Sequence, residues 1–222
     1  MQAATRNLER TSPTGSRGIN WTNRLMKPIA VLYATREGHS ERIADRVARD
    51  LCGHGFSAEV KNLRDTSGAV KLSDYSAVVL AASVHAGKHE PEMVKFVKNH
   101  RAGLDALPTL VLSVTLSQAG AEMPALAPEV KARFSSDVQK TIEKFVADTG
   151  WRPKCIKPVA GALVYSKYNP LVKFVMKRIA RKAGAGTDTS RDYDYTNWEA
   201  LDRYADDFAE QLSAIAAEAR VN

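Results

Sequence analysis

Four apolar runs constrain what this 222-residue chain can fold into more than any other feature: IAVLYA (29–34), AVVLAAS (77–83), TLVLSVT (109–115) and KPVAGALVY (157–165). Each is far too short to cross a membrane, and each lacks the polar alternation of a half-exposed strand. Such runs are strands buried on both faces. A fifth segment, SAEVKNL (57–63), does alternate and reads as an edge strand. Helical periods lie between them. From Ser40 to Leu51, the residues Ile43, Ala44, Val47, Ala48 and Leu51 share one face, and Gly53 and Gly55 close the helix. Pro91 opens another, with Met93, Val94, Phe96 and Val97 in its pattern, and Asn197 to Ala219 forms a closing helix. Buried strands alternating with helices predict an α/β fold. The expected sheet is doubly wound, five-stranded and parallel, in the order 2-1-3-4-5, with helices on both faces.

In that order ligands bind beyond the carboxyl ends of the strands, between the first and third. The loops there are TREGHS (35–40) and SVHAGKHE (83–90), and TLSQAG (115–120) follows the fourth strand. No G-x-G-x-x-G or G-x-x-x-x-G-K-[ST] is present, so dinucleotide and nucleoside-triphosphate fingerprints are both missing. TREGHS nevertheless has the parts of an anion site. Thr35 and Ser40 bring hydroxyls, the amides from Arg36 to Ser40 converge at a helix start, Gly38 permits close approach, and Arg36 offers a charge-assisted bond. The alternative is an ordinary strand-to-helix turn with Ser40 as N-cap. The second loop holds His85, Gly87, Lys88 and His89, which are either solvated loop residues or groups facing a ligand. His85 and His89 stand four apart, but no carboxylate or cysteine set completes a metal site.

Composition narrows the class. Two cysteines, Cys52 and Cys155, are too few for a disulfide framework and fit a reducing, cytoplasmic setting. Residues 1–25 carry four arginines and no apolar core of a secretory signal. They read as a disordered extension outside the fold, which begins at Met26. The net charge of +7 is concentrated: between Thr149 and Thr187 there is no Asp or Glu, while nine Lys and Arg residues occur there and the remainder is near neutral. Within that stretch NPLVKFVMKRIARKAG (169–184) puts Lys173, Lys177, Arg178, Arg181 and Lys182 on one half of a helical wheel and an apolar set on the other. That pattern belongs either to a helix lying on an anionic lipid surface or to a core helix with a solvated basic face. Nothing in the sequence matches a nucleic-acid-binding motif.

Beyond these patterns the sequence resembles the quinone-dependent protoporphyrinogen IX oxidase family, flavodoxin-like enzymes of haem synthesis. The resemblance is carried by LYATREGHSERIA (32–44), ASVHAGKH (82–89), LSVTL (112–116), WRP (151–153), AGALVYSKY (160–168) and GAGTDTSRDYDYTNWEAL (184–201). It implies a 26–222 flavodoxin-like domain with an insert near 117–133. It implies FMN as cofactor, with Thr35, Arg36, Glu37, Gly38, His39 and Ser40 around its phosphate. Flavin-ring contacts would come from Ser83, Val84, His85, Ala86, Gly87 and Lys88 and from Ser113, Val114, Thr115, Leu116 and Ser117. Ala86 departs from the aromatic expected in that loop, and the insert departs from the family's basic one. The implied reaction oxidises protoporphyrinogen IX and passes electrons to a membrane quinone, on a protein peripherally attached to the inner membrane through the basic helix. His85 and His89 are the candidates for proton handling. An electron-carrying flavodoxin and a general quinone reductase are the competing readings.

Overall fold

The computed structural model describes residues 27–66, 70–167, 181 and 186–221. The N-terminal extension and most of the basic helix expected at 169–184 lie outside them. Of the five basic residues on that helix, Arg181 alone is described, and it is exposed.

Strands β1 (Ile29–Ala34), β2 (Ala58–Asn62), β3 (Ala77–His85), β5 (Thr109–Thr115) and β6 (Ile156–Ala160) form the sheet. They pair in the order β2-β1-β3-β5-β6, all parallel, with Ile29 opposite both Ala58 and Ala77. Counting these five alone, this is the 2-1-3-4-5 order expected from the sequence. β4 (Lys88–His89) is a short antiparallel addition folded back on β3.

Helices cover both faces because the inner strands are apolar on both. On one side Ile29, Val31, Val79 and Leu112 meet Ile43, Val47 and Leu51 of α1 (His39–Gly53), and Leu201, Phe208 and Leu212 of a late helix (Trp198–Val221). On the other side Leu32, Val78 and Leu80 meet Met93, Phe96 and Leu104 of α3 (Pro91–Asp105). Phe145 of α5 (Pro128–Thr149) joins that face. Each fully buried Leu, Ile or Phe contributes about 1.5–3 kcal/mol, so these two layers hold the sheet in register. The short helices α2 (Leu63–Thr66) and α4 (Leu116–Glu122) follow β2 and β5, and the late helix is α6.

Two expectations need correcting. KPVAGALVY is not one strand: β6 stops at Ala160, and after Gly161 the chain starts β7 (Ala162–Leu163), which pairs with β8 (Tyr193–Asp194) in a separate ribbon. Gly161 is the hinge between the two, donating its N–H to Thr115 O at 3.1 Å and accepting from Tyr195 N at 3.2 Å. TLSQAG (115–120) is not a loop either, for residues from Leu116 onward belong to α4.

Candidate functional site

A cavity of about 310 Å³ opens beyond the carboxyl ends of β1, β3 and β5, where the sheet order reverses. Three polar loops and the hinge after β6 shape it. The first is the turn from β1 into α1. Gly38 is its N-cap at φ +88°, a left-handed conformation that favours glycine, and its N–H donates to Thr35 Oγ1 at 3.0 Å. The first intrahelical bond runs from Arg42 N to Gly38 O, so the amides of His39, Ser40 and Glu41 have no partner within the helix. Ser40 is therefore not the N-cap. Its hydroxyl is wholly buried and has no hydrogen-bond partner.

His39 packs beneath the same turn. Thr196 Oγ1 donates to Ala160 O at 2.9 Å, so it accepts from His39 Nε2–H at 2.7 Å, which leaves Nδ1 as an unpartnered lone pair. Burial holds this imidazole below its usual range, against the pull of Asp194, whose Oδ1 lies 3.8 Å away. Asp194 also pairs with Arg42 at 3.1 Å, and Arg42 lies over the Trp198 ring. The segment from β8 into α6 thus straps down the β1 turn.

The second loop is a tight hairpin. β3 and β4 are joined by Ala86 and Gly87, at φ +50° and +71°, the two positive values of a type I′ turn. Beneath it lies Glu90, at the N-cap of α3, with its side chain 1% exposed. Its carboxylate accepts from Arg36 Nε at 3.1 and 3.2 Å and from Ser83 Oγ at 3.2 Å. That pairing holds the Arg36 proton more firmly than water does. His85 Nε2 stands 3.2 Å from Glu90 Oε1 and 3.3 Å from Glu37 Oε2.

Of the residues expected around a ligand, Thr35, Glu37, His39, Ser83, Val84, His85, Ala86, Gly87, Val114, Thr115, Leu116 and Ser117 line this cavity. Arg36, Gly38, Ser40, Lys88 and Ser113 do not. Arg36 is turned onto Glu90, Lys88 is exposed beyond the rim, and Gly38 and Ser40 sit under the turn. Ser113 is taken up in the core. Fully buried, it lies 2.9 Å from His89 Nε2, whose ring packs on Phe145 at 4.6 Å. Burial pushes His89 down to about 4, with the charge of Asp148 opposing, so near neutrality it is an uncharged core group. The two histidines therefore separate: His85 reaches the cavity and His89 does not. Sequence reasoning missed Glu90, which looked like one more polar loop residue. It also missed Thr141, Gly161, Ala162 and Val164, which complete the lining from α5 and the hinge. A polar residue immediately before Pro91 was the available signal for Glu90.

Chemically the cavity is divided. Val84, Ala86, Val114, Leu116, Ala162 and Val164 offer apolar walls suited to a flat ring system. The Thr35 hydroxyl, an unpartnered Ser40 hydroxyl and open helix amides offer neutral donors to one anionic group.

A family model described as "Flavodoxin domain" matches residues 30–190. A protoporphyrinogen IX dehydrogenase [quinone] of Leishmania major is 30% identical over 193 residues, 86% of this chain and 79% of the relative. An Escherichia coli (strain K12) protein of the same name is 30% identical over 179 residues, 81% of this chain and 93% of the relative. Among solved structures, a flavodoxin of Streptococcus pneumonia TIGR4 is 17% identical, covers 84% of this chain and 97% of its own, and superposes at a TM-score of 0.42. The strand order, the match over residues 30–190 and the two relatives agree, and this chain belongs to the flavodoxin domain family, in the group that includes protoporphyrinogen IX dehydrogenase [quinone].

Proposed function

We propose that the cavity holds FMN and that the protein oxidises protoporphyrinogen IX, with a quinone as electron acceptor. The observation that carries the reading is the buried, unpartnered Ser40 hydroxyl at an open helix start, in the turn whose Thr35 and His39 line an apolar-walled cavity. It is a cradle for a single phosphate joined to a slot for a ring, in a chain related over most of its length to enzymes of that name.

Thr35, Gly38, His39 and Ser40 would hold the phosphate. Because Thr35 Oγ1 already accepts from Gly38 N–H, its own O–H remains available to donate. The charge assistance expected from Arg36 is reduced by its pairing with Glu90, so neutral donors and the helix dipole carry the phosphate. The hairpin residues Ala86 and Gly87 and the wall formed by Val114, Leu116, Ala162 and Val164 would orient the ring and keep water from it. FMN, when bound, supplies reversible two-electron transfer. Removing six electrons from protoporphyrinogen IX takes three such turnovers.

A quinone resides in the bilayer, and among the described residues no helix is long and apolar enough to cross one. The basic residues Lys173, Lys177, Arg178, Arg181 and Lys182 would bring the protein to an anionic membrane surface, at about 1 kcal/mol each. The deciding experiment is anaerobic incubation of the FMN-loaded protein with protoporphyrinogen IX and a quinone as the only acceptor. Protoporphyrin should accumulate with three quinones consumed per porphyrin. FAD in place of FMN in the denatured supernatant, or no quinone-dependent porphyrin, would overturn the reading.

A further inference from the structure

His85 has one edge in the cavity and another between two carboxylates. Its Nε2 is buried between Glu90 Oε1 at 3.2 Å and Glu37 Oε2 at 3.3 Å, yet it makes no aligned hydrogen bond to either. A small ring rotation closes one. The ring as a whole is 35% exposed and lines the cavity. Glu90 is held from three directions, by Arg36 Nε, by Ser83 Oγ and by its own place at the start of α3. It is therefore a fixed partner for His85.

Around the ring Glu37 and Glu90 bring two carboxylates and Arg36, half exposed, brings one cation, so a proton on His85 balances the set. Lys88, opposite His85 in the hairpin register, adds an exposed charge that water screens. A carboxylate behind one imidazole nitrogen keeps the proton there and leaves the other nitrogen basic.

We infer that His85 Nδ1 accepts the proton released when substrate is oxidised, with Glu90 as the positioning residue behind it. This rests on the FMN-dependent oxidation proposed above. Each two-electron oxidation removes one C–H hydrogen with its electron pair, which a bound flavin would accept, and releases one proton, which goes to His85 Nδ1. In two of the three rounds that proton leaves a pyrrole N–H bond, and in the third it leaves the remaining bridging carbon, so four C–H and two N–H hydrogens are lost in all. Each time the electrons of the bond that gave up the proton become part of the new double bond. The quinone then takes up two electrons and two hydrogens, one of them the proton His85 held. Substrate loses two hydrogens and quinone gains two.

The test uses FMN-loaded wild-type, His85→Gln and Glu90→Gln proteins, compared only after their melting temperatures and FMN affinities are shown to be native-like. Nitrogen NMR of the His85 ring in the resting protein should show the proton on Nε2 in wild type, and a mixture of tautomers in Glu90→Gln. Anaerobic stopped-flow should show flavin reduction by protoporphyrinogen IX slowed by about a hundredfold in His85→Gln, within the range of general-base effects, and partly rescued by added imidazole. Glu90→Gln should alter the pH profile of that step rather than its maximum. A His85→Gln protein that reduces its flavin at the wild-type rate overturns the proposal. So does a His85 tautomer indifferent to Glu90. Wild-type protein that holds FMN yet is never reduced by the porphyrinogen instead overturns the functional reading itself, and the proposal with it. Should His85→Gln lose FMN or fold poorly, the Glu90→Gln tautomer and pH profile decide alone.

Discussion

The turn after β1 and the hairpin after β3 leave the same edge of the sheet and face the same cavity, but they are built on opposite electrostatic plans. Of residues 35–40, Thr35, Glu37 and His39 line the cavity, and the turn adds a buried Ser40 hydroxyl and open amides, so apart from Glu37 this side offers neutral groups. The hairpin and the residue after it bring titratable groups, His85 and Glu90, with Arg36 drawn across from the first loop to balance them. The difference follows from how each segment turns. A helix start leaves amides without partners, so the backbone supplies the donors. A hairpin engages its own backbone groups: β3 pairs with β4, and Glu90 N donates to Ser83 O at 3.1 Å. There only side chains remain to do chemistry. Changes in the first loop should therefore act on ligand affinity, and changes in the hairpin on stability and on pH dependence.

The largest effect should come from His89. Its folded value near 4 lies below the ordinary 6.5, so in acid the unfolded chain holds a proton that the folded core rejects. Its contribution is fully present above about pH 6.5 and is lost as pH falls toward 4, for a total of about 3 kcal/mol. Buried His39, also depressed, works in the same direction. Melting temperatures at pH 7 and pH 5 should fall more for wild type than for His89→Gln, and equal falls would show that His89 does not lie neutral in the core.

Glu90→Ala comes next. It leaves the buried Ser83 hydroxyl and Arg36 Nε without their shared acceptor and His85 without its fixed neighbouring carboxylate, which should cost about 2 kcal/mol in urea unfolding. FMN affinity should change far less than stability, because Glu90 does not line the cavity. A variant with native stability but lost FMN would merge the two plans into one.

Ser40→Ala should do the reverse. Its hydroxyl has no partner in the free protein, so melting of the ligand-free form should stay level or rise. A lost bond to a charged phosphate is worth about 1.5 kcal/mol, so the Kd for FMN should rise about tenfold in a fluorescence titration. Opposite signs for stability and affinity are the signature of a group kept for a ligand.

The smallest effect belongs to Ala86→Gly. Alanine at φ +50° carries about 1 kcal/mol of left-handed strain, and glycine returns nearly that much as unfolded-state entropy. The melting temperature should shift by less than about 3 °C. A larger rise would mean that the hairpin stores strain, and a fall would mean that the Ala86 methyl packs in the cavity wall.

Much of the fold was legible in the chain. Short continuous apolar runs between turn residues read as strands covered on both sides, and the alternation with helices leaves few topologies. β5 spans 109–115 as its seven apolar or small residues require. The cavity's position followed from the strand order, and a dozen of its lining residues from the loops beyond the strand ends. What the pattern could not carry was direction. Every residue of β5 is buried, so no alternation marks which group Ser113 meets, and the fold gives it His89, packed on Phe145, in place of the cavity. The break at Gly161 was hidden for the same reason: an apolar run continues through it, and the pairing of Ala162 with Asp194, far along the chain, ended the strand.

The sequence by itself determined the layers, the strand order and the place of the cavity, because periodicity and turn chemistry are local properties of neighbouring residues. The tertiary structure decided the electrostatics of the site. Arg36 and Glu90 are fifty-four positions apart, and His39 and Thr196 a hundred and fifty-seven. Whether a carboxylate is solvated or buried beneath a histidine depends on which partners the fold brings within about 3 Å of it, and no local pattern encodes that distance.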